Sequence, residues 1–214
     1  FAAAGEHAWP THPGLALLRL EQGDPEDAAI QIRAAIDHPV DAPSKEWPPF
    51  GDLRLAPLFD AQSEIAAAAG DVEMAAEAAA GLARVAALYR SPALGASADL
   101  AAARHALLTG DPGAAMAAAS AAAASFTTLE APFDVARARV VLADAHGAAG
   151  NAAAARTELV LARAGYARYG AHRRVVALDQ RLAEPSPVRA SMSRAIRHRS
   201  TLRSDWPTWT AALS

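Results

Sequence analysis

Four short turns of one chemical type recur along this chain. Each is a glycine followed by an aspartate or asparagine, and they are Gly23-Asp24, Gly70-Asp71, Gly110-Asp111 and Gly150-Asn151. Successive turn glycines lie 47, 40 and 40 residues apart. Regular spacing of about 20 to 50 residues is typical of stacked supersecondary units, each of which buries one face against the next. The turns therefore predict a stack of helical hairpins.

Each turn also has a local reason to form. A glycine just past a helix end can adopt the left-handed conformation that closes the helix. The Asp or Asn beside it can accept hydrogen bonds from the free N–H groups that open the next helix. Pro25 and Pro112 then fall in the first helical turn, where a missing N–H costs little. We expect each turn to end one helix and begin another.

Small side chains flank the turns at fixed offsets. A small residue precedes each turn glycine by seven positions, and an alanine follows it by five. These residues are Ala16, Ser63, Ala103 and Ala143 before the turns, and Ala28, Ala75, Ala115 and Ala155 after them. The pattern resembles the tetratricopeptide repeat, with HEAT or armadillo repeats as the alternative. It implies an all-α, tetratricopeptide-like α-solenoid of about four helical hairpins plus a closing helix, over residues 1–184.

A second resemblance rests on three segments. They read PGLALLRL at residues 13–20, APFDVARARVVLA at 131–143 and ARAGYARYGA at 162–171. These segments are similar to the helical repeat region of large LuxR-type, MalT-like bacterial transcription regulators, over roughly residues 10–183. In that family a nucleotide-binding module precedes the repeats and a helix-turn-helix domain follows them. The resemblance implies a non-catalytic, signal-sensing or protein-interaction domain of a cytoplasmic regulator.

A concave groove is the surface that the tetratricopeptide resemblance assigns to partners. The first helix of each hairpin lines that groove, so groove positions can be counted back from each turn glycine. Apolar and charged groups mix there, which suits a protein partner that presents an extended peptide or a helix. The alternative is that these side chains pack between repeats or face solvent. The predicted groove residues are Leu17, Asp60, Glu64, Leu100, Arg104, Arg137 and Asp144.

The end of the chain differs in charge from the rest. Residues 185–214 contain five arginines and one acid, Asp205, so they carry +4, whereas residues 1–184 carry −7. We expect a basic, disordered tail. Arginines can neutralise phosphates, so nucleic-acid association through this tail is the alternative function. The arginines concerned are Arg189, Arg194, Arg197, Arg199 and Arg203.

Direct sequence-specific DNA binding is not expected, because those 30 residues leave no room for a helix-turn-helix domain. The partners that the LuxR resemblance implies are therefore a protein or peptide, or other domains of a longer regulator. We expect the chain to be a fragment or a truncated form of such a regulator.

Motifs for catalysis, metals and cofactors are missing from the sequence. Asp60 and Glu64 share a helical face, but we expect an acidic patch there and no acid–base pair. There is no cysteine, and no two of the seven histidines are four residues apart, so we expect no zinc site. Nor is there a nucleophile elbow, a dinucleotide-binding loop or a P-loop. The longest uncharged run, residues 112–129, is too weakly apolar for a membrane span.

Overall fold

The computed structural model describes residues 11–38 and 51–183. These residues form nine helices and no strand, so the predicted all-α solenoid of four hairpins and a closing helix is confirmed for them. The predicted basic tail, with its five arginines, lies outside the described residues. The helices are α1 Gly14–Glu21, α2 Pro25–Asp37, α3 Gly51–Ala69, α4 Val72–Tyr89, α5 Pro92–Leu108, α6 Pro112–Thr128, α7 Pro132–Ala148, α8 Ala152–Arg168 and α9 His172–Ala183.

The four turn glycines join the two helices of each hairpin. All four have the left-handed backbone that favours glycine, with φ between 71° and 87°. Asp24, Asp71 and Asp111 cap the following helix, because each accepts the backbone N–H three residues later at 2.9–3.0 Å. Asn151 makes no such side-chain cap. The chemistry of the turns thus determines where the helices begin and end.

Two of the turns that follow a second helix close without glycine. Arg90 ends α4 and Glu130 follows α6, and both have a left-handed backbone although neither is glycine, with φ of 50° and 54°. Gly170 closes α8 with φ 68°. These short connections make consecutive helices antiparallel neighbours.

The small residues predicted around the turns lie where helices cross. Seven of the eight are buried, and only Ala155 is half-buried. Larger apolar side chains fill the space around them in successive clusters along the array. Each hairpin therefore buries its apolar surface against its neighbours, as in other repeat proteins. The largest fully buried side chains are Ile32, Ile65, Met74, Leu82, Val85 and Leu100.

The first helices of neighbouring hairpins also pack directly on one another. α3 contacts both α1 and α5, and α5 contacts α7. We call these four first helices, together with α9, the inner layer. Because they approach more closely than the second helices do, the array curves with the inner layer on its concave side. Of the helices in residues 11–38 and 51–183, none has the length and apolar character needed to cross a bilayer.

Candidate functional site

Charged side chains from four helices of the inner layer meet on its concave side. Asp60 and Glu64 come from α3, Arg104 from α5, Arg137 from α7 and Arg174 from α9. We call these five residues the inner charge cluster. Their positions follow from the repeat, because Glu64 and Arg104 each stand six residues before a turn glycine. Neighbouring hairpins thus place opposite charges at equivalent positions.

Arg137 forms the best-defined pairing of the cluster. Its Nη1 and Nη2 donate to the two carboxylate oxygens of Asp60, each at 2.9 Å. The same guanidinium donates to Glu64 at 3.2 Å and to Asp134 at 3.0 Å. Two parallel bonds between a guanidinium and a carboxylate fix orientation as well as distance. Arg137 is 9% exposed, so this pairing is largely shielded from water.

Arg104 is the most deeply buried arginine of the cluster, at 5% exposure. Its Nη1 donates to Ser63 Oγ at 2.7 Å, and Ser63 Oγ in turn donates to the Asp60 carbonyl at 2.8 Å. The carboxylates lie further away, with Glu64 at 3.5 Å and Asp60 at 3.7 Å. Burial and the neighbouring Arg137 lower the pKa of Arg104, and the two carboxylates oppose them.

Arg174 ties the last helix into the cluster. Its Nη2 donates to Glu64 Oε1 at 2.8 Å, and its Nε lies 3.9 Å from Glu21. The guanidinium also lies over the rings of Phe133 and Tyr166, 5.6 Å from each ring centre. Those two rings meet edge to face with centroids 5.3 Å apart. A cation over aromatic faces is stabilised by the ring quadrupole, so α9 is held by both charge and aromatic contacts.

Glu64 is the hub of the cluster, because all three arginines converge on its carboxylate. Burial alone would raise its pKa. The positive charges of Arg104, Arg137 and Arg174, together with the hydrogen bond from Arg174, outweigh that effect and lower the pKa of Glu64 to about 2. Glu64 is therefore ionised throughout the physiological pH range. Asp134 beside Arg137 and Glu21 beside Arg174 bring two further carboxylates to the edge of the cluster.

Of the predicted groove residues, the structure brings Asp60, Glu64, Arg104 and Arg137 together. Asp144 also lies on the inner layer but apart from the cluster, and it is paired with Arg181 on α9. Leu17 is partly buried against the first core cluster.

The placement of Leu100 in the groove is corrected. Its side chain is fully buried among Ala96, Ala103, Ala119 and their neighbours. An apolar side chain at this position gains more by packing between helices than by facing the charged concave side. Leu100 is therefore a core residue with no surface for a partner.

Three members of the site were missed by the sequence reasoning. Arg174 lies on α9, which no turn glycine follows, so the counting that assigned the other positions could not reach it. Tyr166 belongs to a second helix, and those helices were not assigned to the groove. Phe133 did carry a signal, because it stands four residues before Arg137 and so shares its helical face.

The cluster offers no place for a cation. Its carboxylates are already occupied by arginines, and within residues 11–38 and 51–183 no group of three or more histidine, aspartate or glutamate side chains is arranged to hold a metal ion. The charged side chains of the cluster can form ion pairs and hydrogen bonds with charged groups of another molecule.

Fold and site together define an all-α helical repeat protein with a charged inner layer. Comparison of the chain with protein-family models, curated proteins and solved structures gives no match. The similarity to LuxR-type regulators stays a prediction.

Proposed function

We propose that this chain is a non-catalytic interaction module that binds a segment of a protein partner along its inner layer. The observation that supports this most is the inner charge cluster. It concentrates three arginines and two carboxylates on one concave face, contributed by four different helices. Concave faces of repeat arrays serve as extended binding surfaces.

The members of the cluster divide into supporting and contacting groups. Arg104 and Arg137 are almost fully buried, so they hold the shape of the surface. Arg174 is 25% exposed, while Asp134 and Glu21 beside the cluster are 34% and 37% exposed. These three side chains are the most exposed of the group, with Asp60 next at 23%, and a partner can reach them. A partner segment that carries a carboxylate for Arg174 and a basic side chain for Asp134 or Glu21 complements them.

The test uses peptides selected from a random library on the wild-type chain. Their affinities are then measured by fluorescence anisotropy for wild type, Arg174→Gln and the matched control Arg173→Gln. Arg173 is the adjacent residue on α9, is exposed and has no ion pair among the described residues. We expect about tenfold weaker binding for Arg174→Gln and no change for Arg173→Gln.

Two outcomes would contradict the proposal. One is a failure to select any peptide, and the other is equal affinity for the two arginine variants. Thermal unfolding of Arg174→Gln shows whether the variant keeps its fold, and Asp134→Asn provides a second reading of the same surface if it does not.

We further propose that the module belongs to a LuxR-type transcription regulator, on the basis of the segments at residues 13–20, 131–143 and 162–171. Sequencing the gene on both sides of the region that encodes this chain tests independently whether the chain belongs to such a regulator. An upstream nucleotide-binding module and a downstream helix-turn-helix are expected. If both are missing, the proposed setting is wrong, whatever the result of the peptide experiment.

A further inference from the structure

A pocket separate from the inner charge cluster lies between α2, α3 and α4. Its volume is about 490 Å³, within the range of about 300–1,000 Å³ that is usual for small-molecule sites. Phe59 forms part of its wall and is itself packed against Gly81, where an added Cβ would meet the Phe59 ring at 2.8 Å. The wall of the pocket is therefore closely packed at Phe59.

Gln62 is the most informative residue of this pocket. It is 3% exposed, and its Nε2 donates to Glu77 Oε2 over a long 3.5 Å. Its Oε1 is buried and has no hydrogen-bond partner. A buried acceptor without a donor loses the hydrogen bonds that it would make with water. A ligand N–H placed in the pocket would supply the missing donor.

The charges around Gln62 indicate which kind of ligand fits. Glu77 is exposed, and the long contact with Gln62 is its one polar contact among the described residues. On the same pocket, Arg84 lies over the Phe59 ring at 5.8 Å and has no carboxylate within ion-pair distance among residues 11–38 and 51–183. Arg33 differs, because its charge is already paired with Asp71 at 2.8 Å. Asp37 also lines the pocket and is exposed. The pocket thus presents two carboxylates, Glu77 and Asp37, and the Arg84 guanidinium, none of them in an ion pair among the described residues.

We propose that this pocket binds a small zwitterion, namely a free amino acid or a dipeptide. The ammonium group lies against Gln62 Oε1 and the Glu77 carboxylate, and the carboxylate of the ligand pairs with the Arg84 guanidinium. This juxtaposition gives the buried Gln62 acceptor a donor and pairs the charges of Glu77 and Arg84 at once. The site shares no residue with the inner charge cluster, so it stands independently of the function proposed above.

The test compares three probes of nearly equal size: dialanine, N-acetyl-dialanine and dialanine amide. Binding is followed by titration of the amide resonances of the ¹⁵N-labelled chain. We expect saturable binding of dialanine at millimolar concentration, at least about tenfold weaker binding of the acetylated probe, and weaker binding of the amide. The acetyl group removes the ammonium, and the amide removes the carboxylate.

Substitutions of residues that line the pocket test whether dialanine binds there. Glu77→Gln is expected to weaken dialanine binding about tenfold, whereas Glu73→Gln, one turn earlier on the exposed side of α4, changes nothing. Arg84→Gln is expected to bind dialanine only as weakly as the wild-type chain binds dialanine amide. Because Glu77 and Arg84 are exposed, both variants are expected to fold. The proposal is overturned if dialanine causes no saturable shifts, if the acetylated probe binds equally well, or if Glu77→Gln leaves binding unchanged.

Discussion

Arg137 on α7 holds Asp60 on α3 with two parallel hydrogen bonds of 2.9 Å, although the two residues stand 77 positions apart in the chain. α5 stands between those two helices in the inner layer. The pairing therefore passes over one whole hairpin, which requires the inner layer to curve until side chains two hairpins apart can touch. Long-range ion pairs and the curvature of the array thus depend on each other.

Replacing Glu64 by glutamine is expected to destabilise the fold by roughly 3–5 kcal/mol, because it leaves three guanidiniums without their shared carboxylate. Urea unfolding followed by circular dichroism measures the change. The matched control is Glu73→Gln, at an exposed position in the first turn of α4, which should stay within about 1 kcal/mol of wild type because it loses only a charge at the helix N-terminus. Equal unfolding midpoints for the two variants would show that Glu64 does not hold the cluster together.

The lowered pKa of Glu64 makes stability depend on pH in the acid range. Because its pKa falls from an ordinary 4.5 to about 2 on folding, the folded state favours the ionised form. Its contribution is fully present above about pH 4.5 and is lost progressively as the pH falls to about 2, amounting to roughly 3 kcal/mol. Urea unfolding at several pH values should show the difference between wild type and Glu64→Gln shrinking over that interval. A difference that stays constant down to the lowest pH would contradict the assignment.

Gly81→Ala is expected to destabilise the chain by about 1–3 kcal/mol, because the new Cβ would lie 2.8 Å from the packed Phe59 ring. Gly95→Ala is the control. Gly95 also lies inside a helix, but nothing stands within 4 Å of its added Cβ, so alanine should stabilise the chain by about 0.5–1 kcal/mol. Thermal unfolding midpoints should therefore move in opposite directions. A rise for both variants would mean that Phe59 gives way without cost.

Ala115→Leu and Ala155→Leu test the close approach of the helices. Ala115 is fully buried, so the larger side chain should overpack the contact and cost about 1–3 kcal/mol. Ala155 occupies the equivalent position of the last hairpin but is half-buried, and a smaller loss is expected there. Calorimetric melting of both variants checks the order. The reverse order would place the tightest helix contact in the last hairpin.

The helices of the hairpins could be predicted because their boundaries depend on local chemistry. A left-handed glycine and a capping aspartate act within a few residues of themselves, so Gly70 and Asp71 mark the end of α3 and the start of α4 wherever the rest of the chain goes. The turns after α4 and α6 gave no such signal, because Arg90 and Glu130 adopt the left-handed backbone without being glycine.

The site could be predicted only in part, because the position of a residue within the repeat does not determine whether its side chain is buried. Asp60 and Leu100 both stand ten residues before a turn glycine. Asp60 meets Arg137 on the concave side, whereas Leu100 packs fully into the core. The side chain itself decides between the two environments. Which charges meet depends further on the curvature of the whole array, and no pattern within one repeat carries that information.

The two arginines that bind α3 from a distance are also expected to oppose stretching of the array. Arg137 links α7, and Arg174 links α9, to the same short stretch of α3. When the two ends of the array are pulled apart, these hydrogen bonds must break before the curved inner layer can straighten. We therefore expect the array to resist extension until both arginines have separated from α3.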